Sequence, residues 1–146
     1  PQVIDAYADS ELTAHSFDED GWFKTGDVGH VNRQGQLFLK NRRTDRIISG
    51  GENVDPTEIE SALTQISGII EAAVVGIPDP EWGQKVVALV VRQSNVTSLS
   101  EEKIISELKK KLSGYKIPKE IRFTGSLPKT SMGKIRRGEL ASVFDR

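Results

Sequence analysis

The sequence predicts an α+β fold, a small sheet covered by helices, and three observations carry that prediction. Two β-rich apolar runs, Ile69 to Ile77 and Lys85 to Arg92, supply the sheet. Two segments with apolar residues at helical spacing, Pro56 to Ile66 and the stretch after Ser100, supply the cover. Alternation over residues 28 to 40, around the turn Asn32-Arg33-Gln34-Gly35, predicts a separate β-hairpin ahead of both.

In that hairpin Val31, Leu37 and Leu39 are expected to point inward. The run from Arg42 to Glu60 comes next and joins a basic pair, the apolar step Ile47-Ile48, a double glycine and a helix start. Gly50 and Gly51 allow positive φ and close backbone approach to a ligand. Asp55 as N-cap, Pro56 at N1 and Glu58 at N3 then begin a helix with Ile59, Ala62, Leu63 and Ile66 on one face. The turn formers Pro78 to Gly83 separate the two apolar runs, which are expected to pair as adjacent strands. Ser100 caps a second helix, with Ile104, Ile105, Leu108 and Leu112 at helical spacing and an end near Gly114. Ile121 to Thr124 reads as a short strand and Gly138 to Phe144 as a short terminal helix.

Composition excludes several function classes. Twenty basic against twenty-one acidic residues leave a net charge of -1 over 146 residues, so no global field favours nucleic acid or an anionic membrane. The longest apolar run, Val86 to Val91, is far too short to span a bilayer, so membrane insertion is not expected. The chain has no cysteine, hence no disulfide framework, metal ribbon or thiol nucleophile, which fits a cytoplasmic protein. His15 and His30 are isolated from acids and from any metal-ligand pattern; both read as surface or packing residues, and no metal site is expected.

Three motifs occur in order. Gly21-Trp22-Phe23-Lys24-Thr25-Gly26-Asp27 comes first, then Arg42-Arg43-Thr44-Asp45 leading to Gly50-Gly51, then Leu127-Pro128-Lys129-Thr130-Ser131-Met132-Gly133-Lys134-Ile135-Arg136-Arg137. Any one of them occurs by chance in many proteins, and the middle one alone equally fits an ordinary strand-loop-helix connection with surface arginines. Together, with the Trp82-Gly83 step between them, they resemble the C-terminal part of the adenylate-forming enzymes, from about Gly21 to Leu140. That superfamily includes acyl-CoA synthetases, peptide-synthetase adenylation domains and luciferases. The resemblance implies a large N-terminal domain, with a phosphate loop and acyl pocket that are not in this sequence. A first residue of Pro1 rather than methionine adds the expectation that the chain is a piece of something longer. On this reading residues 1–44 end the large domain, and residues 45–146 form a mobile C-terminal lid with its hinge at Asp45.

What the resemblance implies for single residues also makes chemical sense. Asp27 would hold the ribose hydroxyls of ATP, since a carboxylate offers two acceptors to two adjacent donors. The plain alternative is an aspartate that fixes the turn at Gly26. Arg43 would contact the nucleotide near ribose and phosphate, with Arg42 standing where the family usually has glycine. Gly50 and Gly51 would line a tunnel for the pantetheine arm of coenzyme A. Trp82 would flank it, and Tyr115, Lys116 and Lys119 would supply an aromatic face and cations. For Trp82 and Tyr115, ordinary partial burial remains open. Lys134 would bridge the attacking carboxylate and the α-phosphate as the acyl-adenylate forms. Against this stands a reading of Lys134 as one charge in a basic run with Lys129, Arg136 and Arg137.

The implied activity is that of an ATP- and CoA-dependent acid-thiol ligase that makes acyl-AMP and then the CoA thioester, with Mg2+ accompanying ATP. Its partners would be a small carboxylic acid, ATP, CoA and the chain's own N-terminal domain, and self-association is compatible with the pattern. This chain alone is expected to be inactive. The Arg42 to Asn53 run and Tyr115-Lys116-Ile117-Pro118-Lys119 are similar to o-succinylbenzoate-CoA ligases of menaquinone synthesis, and fatty acyl and aryl ligases share much of both. Two alternatives stay open: a peptide-synthetase adenylation domain that serves a carrier protein, and a stand-alone lid-fold binding module without catalysis.

Overall fold

Val86 to Val91 is apolar without alternation, a pattern that suits a strand buried on both faces, and this strand is the centre of the larger of two units. A computed structural model of the chain describes residues 3–42, 45–94, 96 and 99–144, the side chains of 40–42 excepted. The units are Pro1–Thr44 and Asp45–Arg146.

In the first unit Asp9 caps helix α1, Ser10–Ser16, by accepting from the amides of Glu11 and Leu12. Sequence reading missed α1, a seven-residue helix with no buried residue and therefore no apolar stripe to detect. Strands β1, Asp27–Val31, and β2, Leu37–Arg42, form the predicted antiparallel hairpin, with Val31 opposite Leu37 and Gly29 opposite Leu39. Asn32 Oδ1 fixes the turn by accepting from the amides of Gln34 and Gln36. Val31, Leu37 and Leu39 share one face as expected, but they are not inward: they are 64%, 63% and 66% exposed. A two-stranded hairpin has no second layer of its own against which to bury that face. On the opposite face His30 stacks on Phe38 at 5.2 Å, and His15 Nδ1 lies 2.7 Å from the Glu11 carbonyl.

The second unit holds a five-stranded mixed sheet. Strands β3, Ile47–Ser49, and β4, Glu52–Val54, pair antiparallel around Gly50 and Gly51, whose φ values of 58° and 81° make a two-residue turn with both central residues left-handed. Asp55 then accepts from the Thr57 amide and opens helix α2, Pro56–Thr64. Strands β5, Ile69–Asp79, and β6, Gly83–Arg92, pair antiparallel along their length. They extend into the predicted turn segment, because Pro78 lies on an edge strand, where its missing donor costs no ladder bond. Helix α3, Glu101–Lys109, is capped by Ser100 and stops short of Gly114; a 3-10 turn, Gly114–Lys116, follows. Strand β7, Glu120–Thr124, pairs parallel with β6, and helix α4, Arg137–Ala141, closes the described order.

The two faces of the sheet divide the core by period two. Ala72, Val74, Val86, Ala88 and Val90 meet Ile59 and Leu63 of α2 and Ile104 and Leu108 of α3. Ala73, Leu89 and Val91 meet Leu127 and Leu140, while Ile77 and Val87 meet Phe144. Leu108 is fully buried. We expect Leu108→Ala to cost about 2–5 kcal/mol in chemical denaturation, and a loss under ~1 kcal/mol would contradict this packing.

Candidate active site

The tight Gly50-Gly51 turn brings β3 beside the β5–β6 connection. Asp79 Oδ1 accepts from the amides of Glu81 and Trp82, at 3.0 Å each, and so fixes the backbone of the turn that carries Trp82. The Gly50 amide donates to the Trp82 carbonyl at 2.9 Å. A Cβ on Gly50 would stand 2.8 Å from Trp82 Cε3, so glycine is what lets the indole lie against this turn. Next to Gly51 the space is open, with nothing among the described residues within 4 Å of an added Cβ.

Lys119 reaches the same ring. Its amide donates to the Val86 carbonyl at 2.8 Å, and its Nζ lies 4.4 Å from the Trp82 ring centroid, a cation–π distance. Ser49, Trp82, Gly114, Tyr115 and Lys119 line a concavity of about 190 Å³. Gly50, Trp82, Tyr115 and Lys119 are thus gathered in one place, although they come from separate parts of the sequence. Lys116 does not line the concavity: its Nζ lies 5.7 Å from the Tyr115 ring centroid and donates at 2.7 Å to both oxygens of Glu58, the N3 residue of α2. That hydrogen bond holds the Lys116 ammonium above its ordinary pKa, against a smaller opposing effect of burial. Sequence reading missed Ser49 and Gly114 as wall residues; neither has a side-chain signature that would mark it.

Lys134 sits on a different loop. Lys129 and Ile135 form an antiparallel bridge, the Thr130 amide donates to the Lys134 carbonyl at 2.7 Å, and the Lys134 amide donates to Thr130 Oγ1 at 3.2 Å. Gly133 makes the reversal with φ 80°. The basic run proposed as the alternative is dispersed: Lys129 pairs with Glu71, Arg136 with Glu139, and Arg137 with Glu60 and Asp45. Among the described residues of this segment, Lys134 is the exposed cation without an ion pair.

Asp45 is half-buried at the start of the second unit, with its Oδ2 3.6 Å from Arg137 Nε. Asp27 belongs to the first unit, where it is exposed and its amide donates to Thr25 Oγ1 at 3.1 Å. Arg43 lies outside the described residues.

The family model described as the AMP-binding enzyme C-terminal domain matches residues 58–134. The chain belongs to that family. Among proteins similar to this AMP-binding enzyme C-terminal domain is a 2-succinylbenzoate–CoA ligase from Listeria monocytogenes, 44% identical over 96% of the chain and 29% of the relative. The long-chain-fatty-acid–CoA ligase FadD13 of Mycobacterium tuberculosis is 44% identical over 92% of the chain and 26% of its own length. Among solved structures, ATP-bound MatB from Rhodopseudomonas palustris superposes with a TM-score of 0.86 at 36% identity, over 92% of this chain and 26% of that one. The chain therefore spans between a quarter and a third of the length of these relatives.

Proposed function

We propose that this chain works as the C-terminal part of an AMP-forming acyl-CoA ligase, in the cytoplasm. Residues 1–44 end the large N-terminal domain and residues 45–146 form its lid. The observation that carries the reading is Lys134, exposed on a glycine turn and, among the described residues, without a counterion while its cationic neighbours are paired. The uncovered apolar face of Val31, Leu37 and Leu39 supports a larger body that continues the first unit.

In the first half-reaction the substrate carboxylate attacks the α-phosphorus of ATP and pyrophosphate leaves. The Lys134 ammonium lies between the carboxylate and an α-phosphate oxygen and offsets the charge that gathers there. Asp27 accepts from the ribose hydroxyls, and Arg43 faces the nucleotide. The lid then turns about Asp45. Gly50 and Gly51, with Trp82, Tyr115 and Lys119, come to line the path of pantetheine, and the CoA thiol displaces AMP from the acyl carbon. Lys116 assists CoA only by leaving Glu58. Magnesium would arrive with ATP; among the described residues no group of three or more His, Cys, Asp or Glu is placed to hold a metal.

The test is pyrophosphate release and thioester formation by the full-length protein against o-succinylbenzoate, fatty acids and benzoates, the first two being the acids in the relatives' names. The purified chain alone should show no turnover, because the chain lacks the acyl pocket and phosphate loop needed for near-attack positioning. Thioester formation by the isolated chain would overturn the two-domain reading.

A further inference from the structure

The strongest polar junction in the second unit lies outside both candidate clusters. Arg137 is the first residue of α4, three positions after Lys134. Its NH1 donates to Glu60 Oε1 at 2.6 Å and to the Val74 carbonyl at 2.8 Å, and its NH2 donates to Glu60 Oε2 at 3.0 Å. Glu60 Oε1 also accepts from the Val74 amide at 2.8 Å, so α2, β5 and α4 close one network. The Arg137 and Glu60 side chains are only 24% and 15% exposed, which strengthens a bidentate pair of this kind. The Glu60 carboxylate holds the guanidinium above its ordinary pKa, and the charges of Asp45 and Asp55 act in the same direction.

The remaining edge of the guanidinium faces Asp45 through Nε at 3.6 Å, beyond good hydrogen-bond distance. One cation thus serves two carboxylates at unequal grade: Glu60 is held by two short donors, Asp45 by a longer ionic contact. A rotation at Asp45 would break the weaker contact first. Leu140, fully buried one turn along α4, packs that helix against Ala73, Leu89 and Val91 of the sheet.

We propose that Arg137 is a positioning residue that couples the backbone at Asp45 to the loop bearing Lys134. With Asp45 in contact, an ionic contact at Nε adds to the fork on Glu60 and the root of the loop is fixed; with Asp45 turned away, the fork to Glu60 remains but the root loosens. This deepens the function proposed above and rests on it for the meaning of the two positions, though the physical coupling does not.

The test is a double-mutant cycle in the full-length protein with Asp45→Asn and Arg137→Lys, read as amide hydrogen exchange at Gly133 and Lys134, whose N–H groups bond to Thr130. Asp45→Asn should speed their exchange about threefold or more, and the same change in an Arg137→Lys background should add nothing further. The ratio of adenylation to thioester rates should move with it, which a general loss of stability would not produce. Unchanged exchange in Asp45→Asn, or additive effects of the two substitutions, would overturn the coupling. Asp45→Asn keeps the side chain's shape and leaves the Glu60 fork intact, so its exchange result decides the matter even if Arg137→Lys fails to fold. A wild-type protein without carboxylate-dependent pyrophosphate release would defeat the ligase reading, while the exchange data still decide the coupling.

Discussion

Lys134→Ala in the full-length protein is expected to lower carboxylate-dependent pyrophosphate release at least ~100-fold, the scale seen when one key electrostatic group is lost. Thioester formation from supplied acyl-AMP should continue. The structure makes the substitution clean. Among the described residues the ammonium has no ion pair to break, and the turn is held by backbone and Thr130 bonds that alanine retains. Stability should therefore stay within about 0.5 kcal/mol of the parent, as for most surface substitutions. Acetylation of Lys134 should reproduce the alanine result, because it removes the same charge. Equal loss in both half-reactions would show that Lys134 serves both states or only supports the loop.

The elements legible in the sequence were those whose signal is local. Asp55-Pro56 and Ser100 started helices where their capping chemistry requires, and the apolar run at Val86 became a strand buried on both faces. Helix ends were less legible: α3 closes at Lys109 because its last turn tightens, with the Lys110 amide bonding to the Glu107 carbonyl, while Leu112 continues the apolar spacing beyond it. The inward side of the hairpin could be read as a shared face but not as a buried one, since alternation says nothing about what covers it. The concavity was legible in its residue types, yet the turning of Lys116 to Glu58 was not, because those residues are 58 positions apart and meet only through the fold. Arg137 and Glu60, 77 apart, were hidden for the same reason, and in sequence Arg137 looked like one more charge of a basic run.

Gly51→Leu in the full-length protein should strongly impair transfer of the acyl group to CoA while leaving single-turnover pyrophosphate release nearly intact. Gly51 has no side chain to give contacts, so its value to a pantetheine path is the open space beside it. At φ 81° any side chain costs ~1 kcal/mol or more of backbone strain, so Gly51→Ala and Gly51→Leu should lower stability by similar amounts. Leucine adds further bulk at a position where a Cβ meets nothing within 4 Å among the described residues, so a loss of CoA transfer beyond that of alanine, at equal stability, reports the space a ligand needs. Gly50→Ala separates the two neighbours. It carries the same kind of strain at φ 58° and also places a methyl 2.8 Å from Trp82, so it should destabilise more than Gly51→Ala and displace the indole from Lys119. Denaturation midpoints and the two half-reactions, measured on all three variants, decide the assignment. If alanine and leucine at position 51 reduce both half-reactions to the same degree, the double glycine is only a turn, and its place along the CoA path must be abandoned.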